Sequence, residues 1–123
     1  MNGFSDRRGS ARARTRLPAR IVFGGRTFTL DCTICDLSET GACVATPGTD
    51  ILPKHVVLIE PERFMAFDST TRWRHSKLVG LRFDSISFLD GKLDSGQQAL
   101  RMYARQARRE WGYKAMNETS GPA

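Results

Sequence analysis

The spacing of its turn signals constrains this chain more than any other feature of its sequence. From Pro18 onward, short runs rich in apolar and β-branched residues alternate with Gly, Pro and polar clusters, the pattern of short strands separated by turns. Ala19 to Phe23 reads as a strand, and Gly24-Gly25 as a two-residue hairpin turn that tolerates positive φ. The return strand covers roughly Arg26 to Asp36. A polar corner, Leu37 to Thr40, ends at Gly41, and Ala42 to Thr46 forms the next strand. Pro47, Gly48 and Pro53 punctuate a loop. Val56 to Ile59 is an apolar strand, Pro61-Glu62 turns, and Arg63 to Arg74 returns. His75-Ser76-Lys77 is the last turn before Leu78 to Phe83. About six antiparallel strands in so short a stretch predict a small closed or partly closed barrel, because closure removes exposed edges.

After the strands the period changes. Ser95 followed by Gln98 has capping-box spacing, and Leu100, Tyr103, Ala104, Ala107 and Trp111 recur at helical intervals, with Arg101, Arg105 and Arg108 opposite them. One amphipathic helix packed on the barrel is expected. The predicted organisation is mainly β. It comprises a flexible Arg-rich N-terminal arm over residues 1–17, a six-stranded antiparallel barrel over 18–90, a C-terminal amphipathic helix over 91–116 and a disordered tail over 117–123.

Charge narrows the function. The formal net charge is +6. Seven arginines (Arg7, Arg8, Arg12, Arg14, Arg16, Arg20 and Arg26) against the single acid Asp6 place all of that excess in the first 26 residues, since basic and acidic residues balance beyond them. An anionic partner is expected. At 123 residues the chain suits one domain with room for a modest core, so its three cysteines are not needed as staples. No apolar run reaches the roughly 18 residues of a membrane span and no signal-peptide pattern opens the chain, which predicts a cytoplasmic protein.

Two short constellations carry the chemistry. Arg8-Gly-Ser-Ala-Arg12 fits an RxxxR signature, and Asp36-Leu-Ser38-Glu-Thr-Gly41 fits (D/N)xSxxG. Together, in this order and at this separation, they resemble the PilZ domain family, whose members bind cyclic di-GMP. Supporting matches are Leu17-Pro-Ala-Arg-Ile21, Arg72-Trp73-Arg74 and Gly80-Leu-Arg-Phe83, so the resemblance covers roughly residues 7 to 90. It implies cyclic di-GMP as ligand, no other cofactor, and contacts from Arg8, Arg12, Asp36, Ser38 and Gly41, with Arg7 as an auxiliary cation and Trp73 as a stacking candidate.

The residue types suit that ligand. An arginine fork matches the O6/N7 edge of guanine and neutralises phosphate. A carboxylate such as Asp36 accepts from guanine N–H groups, which no arginine does. Ser38 both donates and accepts, and Gly41 allows a tight corner or a close approach of backbone to ligand. Trp73, flanked by Arg72 and Arg74, is the natural inward residue of its strand by strict alternation.

Other chemistries find less support. Cys32-Thr-Ile-Cys35 is a CxxC match, but residues three apart in a strand point to opposite faces, no second pair follows, and His55 and His75 have no partner at ligand spacing. Cys32, Cys35 and Cys43 read as small strand residues, with no metal site. No nucleophile–base pair, paired carboxylates or phosphate loop argues for an enzyme. The expected function is a receptor that converts cyclic di-GMP binding into ordering of the arm, read by an unidentified downstream protein. The alternatives are a single-stranded nucleic-acid binder, disfavoured because backbone contact has no use for Asp36, and a PilZ-like interaction module that no longer binds nucleotide.

Overall fold

The computed structural model describes residues 13–112. Six strands precede one helix: β1 (Ala13–Phe23), β2 (Phe28–Leu37), β3 (Gly41–Ala45), β4 (His55–Glu60), β5 (Met65–His75), β6 (Leu78–Phe88) and α1 (Ser95–Glu110). All pair antiparallel in the order β1-β2-β3-β6-β5-β4. The sheet closes where β1 meets β4, with Arg20, Ile21 and Val22 opposite Ile59, Leu58 and Val57. The predicted mainly β barrel with a C-terminal helix is the observed architecture.

Two hydrophobic cores result. Inside the barrel, alternate residues of every strand converge, among them Ile21, Ile34, Val44, Leu58, Phe67 and Val79. Outside it, Val22, Val57, Ile59 and Phe64 pack against Leu100 and Ala104 of α1. Strand β4 therefore shows no alternation: Val56 to Glu60 are all buried, because one face lines the barrel and the other lies under the helix. Its unbroken apolar run is the sequence mark of that two-sided burial.

Polar groups fix the helix in place. Asp94 caps it, accepting from the Gln97 backbone N–H at 2.8 Å, while the Gln97 side chain accepts from Asp94 N–H at 3.2 Å. The capping box thus lies one residue before the predicted Ser95/Gln98 pair, where a carboxylate answers the helix N-terminal dipole better than a hydroxyl. At the other end, Arg20 donates from Nε to Asp31 at 2.6 Å and from Nη2 to Glu110 at 2.7 Å, and lies 5.0 Å from the Trp111 ring centroid. Burial disfavours the Arg20 charge, but the two carboxylates more than offset this and hold its pKa above the ordinary value. Arg108 donates to the Pro61 and Glu62 carbonyls and covers the Phe64 ring at 4.3 Å. Arg101 donates to the Gly91 carbonyl at 3.2 Å. Arg20 is thus a structural residue rather than part of a ligand-seeking charge, and two of the three helix arginines expected on the open face turn back to the barrel.

Three other expectations shift. Strand β1 begins at Ala13, within the segment expected to be a flexible arm, and a register shift between Arg14 and Leu17 lets it continue to pair with β2. The first hairpin loop has four residues, not two: Phe23 pairs with Phe28, and Gly24, Gly25 and Arg26 all adopt positive φ. Arg26 tolerates this because α1 holds it from both sides, the Tyr103 hydroxyl donating to its carbonyl and its Nη1 donating to the Gly96 carbonyl at 2.8 Å. Trp73 points outward rather than into the barrel. The RxxxR residues and the predicted tail lie outside the described residues.

Candidate functional site

The Asp36–Gly41 corner joins β2 to β3. Ser38 organises it: its backbone N–H donates to the Gly41 carbonyl at 2.9 Å, and its hydroxyl oxygen accepts from the N–H groups of Thr40 and Gly41 at 3.2 and 3.3 Å. That hydroxyl lies within bonding distance of the Gly41 carbonyl and the Thr40 hydroxyl as well, at 3.3 Å each. Such Ser-to-backbone bonding closes a turn without a longer loop. The glycine has a backbone reason. A Cβ on Gly41 would sit 2.3 Å from the Leu81 carbonyl oxygen, so only glycine lets β3 and β6 approach this closely here.

Register then carries the corner across the barrel wall. Asp36 pairs with Cys43, Cys43 with Gly80, and Gly80 with Trp73, while Arg14 pairs with Asp36 on its other side. Residues directly opposed across strands share a face. The neighbouring Ala42, Val44, Val79 and Leu81 are buried in the barrel interior, so this row lies on the outside. A carboxylate, a thiol and an indole thus follow one another along one line of the outer wall.

Trp73 reaches this row because strict alternation fails. The register of β5 on β6 shifts between Thr71 and Trp73, making Arg72 the extra residue of a bulge and turning the indole to the outer surface. There it lies on Gly80: a Cβ at that glycine would be 2.1 Å from the indole Nε1. Contact with Gly80 holds one part of the ring while the side as a whole stays 48% exposed. Arg74 leaves the row altogether, donating from Nε to the Thr49 carbonyl at 2.9 Å and from Nη2 to the Leu52 carbonyl.

Between the corner and the indole runs a groove of about 440 Å³ lined by Gly41, Cys43, Arg72, Trp73 and Arg82. A second cleft, of about 470 Å³, also touches the corner and is lined by Arg14, Leu37, Ser38, Glu39, Met65 and Ile86. Arg82 is the residue that sequence reasoning missed. It occupies a variable position of Gly80-Leu-Arg-Phe83, and counting by two from Gly80 would have placed it on the outer face.

The cysteines take separate environments. Cys32 faces the core, where burial first, and then the charge of Asp31, pushes its thiol well above the ordinary range. Cys35 donates to the Thr33 carbonyl at 3.6 Å, and Cys43 belongs to the outer row. Among the described residues no group of three or more His, Cys, Asp or Glu side chains is placed to hold a metal ion. Arg7, Arg8 and Arg12 lie outside the described residues; the chain that bears them enters β1 at Ala13, opposite Leu37.

A family model described as PilZ domain matches residues 6–103. No curated protein matches the chain. Among solved structures it is similar to the Bacillus subtilis inhibitor of motility, MotI/DgrA, with 17% identity and a TM-score of 0.49 over 89% of this chain and 53% of that one. The chain therefore spans about half the length of that protein. An uncharacterised Legionella protein, Lpg0364, is similar at 16% identity with a TM-score of 0.43, covering 82% of this chain and 97% of its own.

Proposed function

This chain belongs to the PilZ domain family, a family of binding and adaptor modules, and on that premise we propose that it is a cyclic di-GMP receptor whose ligand lies on the outer row between Arg14 and Trp73. The observation that supports this reading most is the row itself. Asp36 offers a carboxylate to guanine N–H groups, Trp73 offers an open aromatic surface worth about 1–3 kcal/mol per stacked base, and both lie on one face with Arg82 nearby.

Connectivity supplies the remaining charges. Arg12 immediately precedes β1, and Arg8 is five residues before Ala13, within roughly 17 Å of extended chain. Arg8 and Arg12, with Arg7 beside them, are therefore close enough along the chain to supply cations to phosphate and guanine, while Asp36 supplies the acceptor. Ser38 and Gly41 contribute by shaping the corner as well as by touching the ligand. Binding neutralises part of the N-terminal +6 and orders the segment over the row, and a partner protein reads that change. The reading involves no catalysis and no metal, and it places the protein in the cytoplasm. No helix among the described residues is long and apolar enough to cross a membrane.

Isothermal titration tests it. Cyclic di-GMP at tens of micromolar is expected to release or absorb heat with the wild type and to raise its melting temperature by mass action. Arg8→Ala/Arg12→Ala and Asp36→Ala are expected to weaken binding at least tenfold in protein that circular dichroism shows to be folded. Absence of any wild-type response would overturn the reading.

A further inference from the structure

Strand β6 places Arg82 two residues from Gly80, so its side chain leaves on the same outer face as Trp73. It stands opposite Gly41 on one side and Thr70 on the other. Its guanidinium is already oriented. Nε and Nη2 donate to Asp84 Oδ1 at 3.2 and 3.1 Å, and Nη2 also lies 3.4 Å from the Thr70 hydroxyl. Thr70 in turn donates to Asp84 Oδ2 at 2.7 Å, which fixes the carboxylate that fixes the arginine.

This arrangement uses only one edge of the guanidinium. The Nε/Nη2 edge belongs to Asp84, whereas Nη1 makes no hydrogen bond among the described residues. An arginine so held keeps Nη1 for a second partner, and the Nη1/Nη2 pair engages it bidentately once the long 3.4 Å contact of Nη2 with Thr70 gives way. The ring beside it is equally half-used. Trp73 lies against Gly80 directly, and Arg82 is the diagonal neighbour of Trp73, a separation of about 7–8 Å that long and aromatic side chains bridge. A base stacked on the open surface of the indole would bring its edge to the arginine.

We propose that Trp73 and Arg82 form a guanine subsite on β5 and β6, with the base stacked on Trp73 and its O6/N7 edge read by the Nη1/Nη2 end of Arg82. Asp84 and Thr70 are positioning residues that act through Arg82. Guanine presents two acceptors to such a fork, whereas adenine presents an amino donor where guanine has O6, so the pair selects guanine. The inference rests on the cyclic di-GMP reading and adds to it the residues that choose the base.

The test uses a Trp111→Phe background, in which Trp73 is the single remaining tryptophan of the two, and titrates cyclic di-GMP and cyclic di-AMP by calorimetry and by Trp73 fluorescence. Cyclic di-GMP is expected to quench Trp73. Arg82→Ala is expected to weaken cyclic di-GMP about 5- to 100-fold and to change cyclic di-AMP little, collapsing the preference for guanine. Arg82→Lys does not restore it, because an ammonium has no fork. Asp84→Ala loses several-fold in the same direction, whereas Asp84→Asn, which still accepts from Arg82, retains most of the affinity. An exposed pair of this kind contributes little to stability, so melting temperatures stay the same throughout. Wild-type binding with unchanged affinity and base preference in Arg82→Ala, or full rescue by Arg82→Lys, overturns the subsite. Absence of cyclic di-GMP binding by the wild type overturns the receptor reading, and this inference with it.

Discussion

The outer wall of this barrel has two faces that handle the same residue types in opposite ways. On the β1–β4 face, α1 covers Val22, Val57 and Ile59, and arginines are spent on holding it there: Arg20 on Asp31 and Glu110, Arg108 on the Pro61 and Glu62 carbonyls. The β2-β3-β6-β5 face, which carries the row from Asp36 to Trp73, contributes none of its outer row to the core under α1. There Arg82 has one edge engaged and Trp73 remains about half exposed. The contrast shows why counting arginines cannot locate a ligand site. A guanidinium whose donors are already matched is part of the fold, and one held along a single edge is prepared for something else.

Substitutions on the two faces should separate stability from binding. The largest effect is expected from Leu100→Ala, which empties a side chain only 1% exposed between helix and barrel. Urea denaturation should show a loss of about 2–5 kcal/mol, with cyclic di-GMP affinity unchanged in the folded protein. An equal loss of affinity would mean that the faces are coupled. Gly80→Ala is the converse. Its methyl would displace the Trp73 indole, so binding should weaken roughly 5- to 100-fold through lost stacking, with only a small fall in melting temperature. If affinity holds, Trp73 is not part of the site.

A smaller, pH-dependent effect belongs to the covered side. Glu60 is 1% exposed and accepts from the Glu62 and Arg63 backbone N–H groups at 2.7 and 3.1 Å. Burial nonetheless dominates and raises its pKa above 4.5, against those two bonds and the nearby Arg63. A carboxyl with a higher value in the folded state binds its proton more tightly there. Its contribution is therefore fully favourable below the ordinary value and is lost as pH rises through the raised one. Glu60→Gln should flatten this part of the stability–pH curve, as measured by thermal melts from pH 4 upward, and should leave nucleotide binding untouched.

Much of this molecule is legible from its residues because local and tertiary preferences agree. Turn residues mark where the inner strands meet their turns, although β1 begins six residues before the expected Ala19 and β6 runs five residues past the expected Phe83, and the helical period of Leu100, Ala104 and Ala107 identifies the face that the structure buries. The Asp36–Gly41 corner is also apparent, since Ser and Gly at those places suit a tight turn. What escapes is whatever depends on a bulge or on a distant partner. One extra residue at Arg72 reverses the alternation and turns Trp73 outward, and no propensity signals where a register shift will fall. Arg20 looks like one more cation of a basic terminus until Glu110, far along the chain, is brought to it. The three-dimensional row of Asp36, Cys43, Gly80 and Trp73 joins four strands, so it exists only once the barrel has closed.

The central claim is that the β2-β3-β6-β5 face, and not the helix-covered one, receives the nucleotide. Amide and indole shift mapping by nuclear magnetic resonance tests it directly. On adding cyclic di-GMP, the account predicts that the shifted resonances cluster at Asp36 to Cys43, at the Trp73 indole N–H and at Gly80 to Asp84, while Val57, Leu100 and Ala104 stay in place. Shifts centred on α1 and β4, or no shifts at saturating ligand, would contradict it.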